Sequence, residues 1–286
     1  LGKLFHFDEK DQHIMIMCGM SAAFSALFGT PLAAAVFSME VVSVGIMHYS
    51  ALVPCVIASL TAHGIASACG IAPEIFPIAS IPAFTAKNAL IIGIFAVLCA
   101  LVSILFCTTL HNAERLYKRF FKNPYVRALA GGLIVIGLTM LVGNQTYNGT
   151  GMNIITGCME GKTVFPLAFL LKMVFTAATL GAGYKGGEIV PTLFIGSTFG
   201  TFFASAFGCS IPLCAAVGMG AVFCGVTNSP ITSLMICFEL FGFDGMPYFL
   251  IAIALSYMLS GYYGLYSSQK IIYSKYKTEY INRKTH

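Results

Sequence analysis

The 286-residue sequence predicts an all-α polytopic membrane protein made of broken helices, and three observations carry that prediction: composition, the punctuation of its apolar runs, and an internal repeat. Hydrophobic residues make up 57% of the chain, charged residues 9%, and the mean hydropathy is +0.83. A water-soluble domain of this length would aggregate with that surface. Gly and Pro interrupt the apolar runs more often than a simple helix bundle needs. Helices broken at membrane depth persist only where their freed backbone groups face protein or a water-filled cavity, so the pattern points to a transporter or channel.

In chain order, the first apolar run covers residues 12–39. From Val41 to Pro73 there is no Asp, Glu, Lys or Arg, and about 20 such residues suffice to cross the hydrocarbon once. Further runs occupy 88–110, 128–143, 164–183, 189–208, 211–238 and 247–266. Several are too short or too interrupted to be plain spans. Between the runs 88–110 and 128–143 the connection "ERLYKRFFKNPYVR" gathers Arg115, Lys118, Arg119, Lys122 and Arg127, while Lys270, Lys275, Lys277, Arg283 and Lys284 crowd the tail. Nucleic-acid binding is the other reading of basic patches, but both flank long apolar segments, where the positive-inside rule accounts for them without a ligand. Both patches are therefore predicted to be cytoplasmic, with an even number of crossings between residues 127 and 270.

Ten cysteines are scattered singly and lack a C-x-x-C pair, so they read as small core residues. The six histidines show no ligand spacing. No metal site and no cofactor are predicted.

The repeat joins "GMSAAFSALFGTPLAAAVFSME", residues 19–40, to "GMGAVFCGVTNSPITSLMICFE", residues 218–239, without a gap. Gly19/Gly218, Met20/Met219, Ala22/Ala221, Phe24/Phe223, Pro31/Pro230 and Glu40/Glu239 are identical. Each copy reads as a helix of small residues, a tight break, Pro at the first helical position, and a second helix ending near an acid. Glu40 and Glu239 are expected at helix ends that water or a lysine can reach.

Along its whole length the sequence resembles the CLC chloride channels and anion/proton exchangers. The two repeat segments, "GYKGGEIVPTLFIGSTFG" and "YYGLYSS" carry the resemblance, the glycine-rich stretch being similar to the family's GxFxP anion-binding motif. The resemblance implies a CLC-type inverted-repeat fold with broken, tilted helices, a single transmembrane domain over residues 1–286 without a soluble regulatory domain, and a homodimer with one anion pathway per subunit. It places the dimer contact on the helices after Pro31 and Pro230. It also puts the family's first anion-binding loop and gating glutamate before residue 1, so the chain is expected to be an N-terminally incomplete member.

The residues themselves agree. Gly183, Gly186 and Gly187 let the chain bend and approach a ligand, and a helix starting near Glu188 presents unpaired N–H groups with a positive dipole end. The amides of Glu188 and Ile189 stand where the resemblance puts the family's donors to the ion, and Gly186, Gly187, Glu188 and Ile189 make up the expected anion site. Close helix packing is what such glycines provide otherwise. A carboxylate at membrane depth costs about 2.5–3.5 kcal/mol, whereas capping a helix start returns roughly 0.3–1 kcal/mol, which favours a functional role for Glu188 over a cap. An acid beside an anion must protonate or repel it, which suits proton coupling.

Within the family, Ile189 replaces the usual Phe, Glu188 precedes it, and Val41 stands where proton-coupled chloride members carry a second acid. "GYKGGEIVP" looks like the fluoride/proton antiporter branch. Tyr266 matches the tyrosine whose hydroxyl lines the family's pathway, the alternative being an interfacial aromatic beside Tyr262 and Tyr263. The expected function is fluoride/proton antiport exporting fluoride across a bacterial plasma membrane, with a chloride channel or chloride/proton exchanger as the alternative. The expected partners are fluoride or chloride, the proton, a second copy of the chain and the bilayer. No nucleic acid is expected. A membrane-embedded hydrolase has no paired mid-span acids to use, since Asp8, Asp11 and Asp244 all lie outside the spans. A purely structural subunit gives no reason to keep Glu188.

Overall fold

The computed structural model describes residues 7–78, 80–277 and 279–285. Among them are eleven α-helices: α1 Glu9–Phe28, α2 Pro31–Glu40, α3 Leu52–Ala68, α4 Ala86–Phe120, α5 Pro124–Val142, α6 Met152–Met159, α7 Ala168–Gly181, α8 Ile189–Phe207, α9 Ile211–Thr227, α10 Pro230–Phe241 and α11 Met246–Leu259. Three short strands, β1 Ser43–Val44, β2 Lys270–Tyr273 and β3 Tyr280–Lys284, form one sheet in that order, parallel between β1 and β2 and antiparallel between β2 and β3. Tyr49–Ala68, α4, α5 and α8 are long and apolar enough to cross a membrane, while α2, α7, α9, α10 and α11 are apolar but shorter. The apolar runs thus become helices at the predicted places, several of them partial spans. The tail expected only as a basic patch also carries β2 and β3.

The basic "connection" after residue 110 is itself helical as far as Phe120, so only residues 121–123 link α4 to α5. Glu, Arg, Leu and Lys are strong helix formers, and Lys118 and Arg119 in the last turn oppose the negative dipole end. The apolar run marks where hydrocarbon ends, and the helix continues past it.

The chain forms two compact units. One contains the described residues up to Pro77 with Asn228–Phe243 and Tyr266–Thr285. Its α1 and α2 are separated by Gly29, φ +69°, and Thr30, φ −115° ψ 75°; α10 is preceded by Asn228, φ +59°, and Ser229, φ −120° ψ 77°. The two repeat copies therefore break through the same pair of backbone conformations, with Pro31 and Pro230 each opening the second helix. Glycine is required in the first copy, because a Cβ on Gly29 would lie 2.4 Å from Pro73 Cβ. Asparagine, which tolerates the left-handed region, serves in the second. Its side-chain amide donates to Gln269 Oε1 at 2.9 Å, and Gln269 Nε2 in turn donates to the Val41 carbonyl at 2.8 Å.

Helices α2 and α10 pack on each other and exchange acids. The Glu40 carboxylate accepts from the N–H groups of Ile231, 3.1 Å, and Thr232, 2.8 Å, and from the Thr232 hydroxyl, 2.6 Å. Glu239 accepts from the N–H groups of Leu32, 3.0 Å, and Ala33, 2.8 Å. Each contact is the repeat image of the other, so the helices run antiparallel about a local two-fold. The expectation for these acids is corrected here: they do lie at helix ends, but the opposing helix start, rather than water or lysine, satisfies them. Glu40 is buried and Glu239 half-buried. Helix α2 is also enclosed by α1, α3 and α10, with Ala33, Ala34 and Ala35 almost fully buried. It has little surface left for the subunit contact expected of it. Helix α10 keeps an open face at Ile231, Leu234 and Phe238.

The second unit contains the described residues of Ile78–Thr227 with Asp244–Leu265. Its centre is the crossing of α8 and α9, where a Cβ on Gly196 would fall 2.5 Å from the Gly218 carbonyl oxygen and one on Gly200 would fall 2.2 Å from that of Cys214. Only glycine allows backbones this close, which is how helices associate where lipid removes the hydrophobic drive. Against this pair pack α4, α6, α7 and α11.

The carboxylate exchange makes Glu40 a stability determinant. Glu40→Ala strands the buried N–H and hydroxyl of Thr232 and the part-buried N–H of Ile231, at about 1–3 kcal/mol, which should lower the unfolding temperature in detergent by roughly 2–10 °C. Glu239→Ala, on the more exposed copy, should cost less. A wild-type unfolding temperature for Glu40→Ala would refute the assignment.

Candidate functional site at the start of α8

The segment between α7 and α8 is seated on the first half of α5. A Cβ on Gly181 would lie 3.1 Å from Ala113 on α4, so α7 ends tightly packed. The chain then turns at Gly183, φ +97°, in a region that favours glycine. Arg127 Nε donates to the Ala182 carbonyl at 3.2 Å, and the Tyr184 hydroxyl donates to the Ala128 carbonyl at 2.8 Å. Gly131 and Gly132 make the room, since a Cβ at either would lie 2.2 Å from Ala182 Cβ or 3.0 Å from the Tyr184 oxygen. Residues 182–184 are thus held from below by one helix.

Beyond this clamp Gly186 and Gly187 are exposed, and a Cβ on Gly187 would meet nothing within 4 Å. Helix α8 begins at Ile189. Glu188 takes the N-cap position, but its side chain makes no capping bond. The Glu188 carbonyl accepts from the N–H of Thr192, 3.1 Å, and from its hydroxyl, 2.8 Å, which fixes the first turn. Pro191 has no N–H. Among the described residues no acceptor meets the N–H of Glu188, Ile189 or Val190. The half-buried Glu188 carboxylate likewise has no hydrogen bond or ion pair among them. The acid in its electrostatic range is Glu114 on α4, itself paired with Lys118 at 2.5 Å. The arrangement offers three consecutive unmatched N–H donors, a positive dipole end and one half-buried acid with no partner among the described residues. It can hold an anion and exchange a proton beside it.

Of the predicted site residues, the structure brings Gly186, Gly187, Glu188 and Ile189 together at this junction. Tyr266 belongs to the other unit, half-buried, its carbonyl accepting from the N–H of Gln269, 2.9 Å, and the hydroxyl of Thr285, 2.8 Å. Glu188 occupies the N-cap position of α8 without a capping hydrogen bond from its side chain.

Two residues escaped sequence reasoning. Arg127 was counted with the cytoplasmic charges, yet its guanidinium stands over Gly183. Lys172 on α7 is 2% exposed; its ammonium donates to the carbonyls of Tyr147 and Gly149 and lies 5.1 Å from the centre of the Phe194 ring on α8. Among the described residues no acid pairs with it. A lysine alone in the apolar run 164–183 was the signal available in the sequence. It ties the segment at Tyr147 and Gly149 to α7 and places its amine against Phe194 of α8.

The model of the voltage gated chloride channel family matches residues 1–261. The chain belongs to that family. It is 33% identical over 282 residues to the chloride/fluoride channel protein of Pseudomonas syringae pv. tomato, covering 96% of this chain and 62% of that one. It is 27% identical over 266 residues to the voltage-gated ClC-type chloride channel ClcB of Salmonella typhimurium, covering 88% of this chain and 63% of the relative. Among solved structures, a CLC-type fluoride/proton antiporter superposes with a TM-score of 0.86 at 32% identity, over 90% of this chain and 65% of the other. A eukaryotic CLC transporter shares the fold, with a TM-score of 0.68 at 18% identity over 88% of this chain and 45% of its own. The chain therefore spans a little over three-fifths of the length of these curated relatives. As a member of the family it is a multi-pass membrane protein with the CLC fold.

If the α5 clamp sets the shape of the 183–189 segment, Arg127→Ala should raise backbone hydrogen exchange there by about tenfold, the worth of one charged hydrogen bond. Exchange at α9 serves as the internal reference. Unchanged protection at 183–189 would remove Arg127 from the site.

Proposed function

We propose that the protein exchanges fluoride for protons and exports fluoride from the cytoplasm. The observation that carries this reading is the open start of α8, with three N–H groups unmatched and the Glu188 carboxylate unengaged beside them. An anion lodged on the amides of Glu188 and Ile189 repels a charged carboxylate on the same residue, so anion entry favours protonation of Glu188 and anion departure favours release of the proton. That reciprocity links the two ions thermodynamically at one site. Fluoride, small and a strong hydrogen-bond acceptor, suits bare N–H groups on a tight glycine turn. The similarity to a fluoride/proton antiporter and to a chloride/fluoride channel protein supports the choice of ion.

Val41 supports it further, since the second acid of proton-coupled chloride members is replaced by hydrocarbon and Glu188 is left as the acid on the pathway. Tyr266 is taken as a further pathway residue in this reading, on the resemblance of "GLYSS" to the family's tyrosine segment. The setting is a bacterial plasma membrane, and the working protein is a homodimer, with the open face of α10 the favoured contact because it presents apolar residues without charge. Chloride transport is the second reading, favoured by the ClcB relatives at 27% identity.

Glu188→Gln keeps size and hydrogen bonding while fixing the charge at zero. In liposomes holding the full-length protein, fluoride efflux should persist while uphill proton movement against a fluoride gradient stops. Wild-type coupling in that variant would exclude Glu188 as the proton carrier, and a chloride flux exceeding fluoride in the wild type would exclude the choice of ion.

A further inference from the structure

Helix α4 runs 35 residues, about 52 Å at 1.5 Å per residue, against a hydrocarbon core of about 30 Å. One end must therefore stand in the headgroup layer. One stripe follows it lengthwise: Ile94, Leu101 and Leu105 are exposed hydrocarbon, and at the same helical spacing the stripe continues as half-buried Thr108 and exposed Asn112 and Arg115. The change from apolar to polar comes where the basic residues of the α4–α5 corner begin, which the positive-inside rule assigns to the cytoplasmic side.

At that change lies a cavity of about 240 Å³ lined by Thr108, His111, Asn112 and Arg115 of α4 and by Tyr263 after α11, all within one unit. Among the described residues the Arg115 guanidinium has no ion pair and no hydrogen bond. The adjacent Glu114 is turned to Lys118 at 2.5 Å and does not neutralise it. The Thr108 hydroxyl donates back to the Ile104 carbonyl at 2.6 Å, so donors into the cavity come from Arg115, His111 and Asn112. A planar guanidinium with neighbouring N–H donors, in a lining that contains no acid, is the chemistry that recognises a phosphate diester.

We propose that this cavity binds the headgroup phosphate of an anionic phospholipid of the cytoplasmic leaflet, its acyl chains lying along the Ile94–Leu105 stripe. A free phosphate would use the same donors but has no use for the apolar stripe that leads into them. The lipid would brace the end of α4, the helix that also carries Glu114 towards Glu188.

Native mass spectrometry of the full-length protein in detergent, titrated with dioleoylphosphatidylglycerol, dioleoylphosphatidylcholine or inorganic phosphate, tests this. The wild type should retain phosphatidylglycerol at concentrations about five- to tenfold below phosphatidylcholine, the worth of about one interfacial Arg. Arg115→Gln should abolish that preference and Asn112→Leu should reduce it. Lys87→Gln, which removes the same charge at the opposite end of α4, should leave it intact. Arg115 is exposed and unpaired, so its variant should fold; should it not, Asn112→Leu decides alone. Equal retention of both lipids by the wild type, an unchanged preference in Arg115→Gln, or in Asn112→Leu where that variant decides alone, or an equal loss in Lys87→Gln would overturn the site. Displacement of phosphatidylglycerol by equimolar inorganic phosphate would overturn its assignment to a lipid.

Discussion

A helix that begins inside a bilayer leaves its first N–H groups where water cannot serve them, and each must find an acceptor or wait for one. Among the described residues, three helix starts treat their first N–H groups in unlike ways. The starts of α2 and α10 are closed by Glu239 and Glu40, each acid reaching from the end of the helix that the other one caps. The start of α8 has an acid in the N-cap position that caps nothing. A closed start is structural; an open one beside an unengaged carboxylate is where an ion can be handled.

The rest of the second unit makes that opening affordable in stability and definite in shape. Glycines at the α8–α9 crossing bring the backbones into contact, so the helix carrying the site is anchored along its length. Lys172 and Phe194 fix the flank next to α6 and α7, and α5 holds residues 182–184 through Arg127 and Tyr184. Exposure at Gly186 and Gly187 is thus a gap between two restrained segments.

Much of this was legible in the sequence because proline and glycine announce breaks locally. Pro31 and Pro230 fixed both repeat helices, and the carboxylate among glycines marked the α8 junction. What was not legible depends on pairing between distant segments. Glu40 and Glu239 were visible as matched acids, but nothing local says that α2 and α10 lie antiparallel, so their partners across some 190 positions were missed. Arg127 looked like one more cytoplasmic charge, because the alternation of charges in a connection does not reveal which one folds back on Ala182. The sheet of β1 with β2 and β3 joins residue 43 to residue 270, beyond any local pattern. The end of α4 was misplaced because hydropathy reports the edge of the hydrocarbon, and helix propensity carries the chain past it.

The most direct test is whether fluoride sits on the α8 amides. Solid-state NMR of the full-length protein in lipid, with ¹⁵N at Glu188 and Ile189, can measure the dipolar coupling of each amide to bound ¹⁹F⁻. The account predicts a nitrogen–fluoride separation of about 3 Å, the ordinary hydrogen-bond distance, that vanishes when fluoride is withdrawn. Absence of any coupling at saturating fluoride, in protein that still transports it, would contradict the central claim.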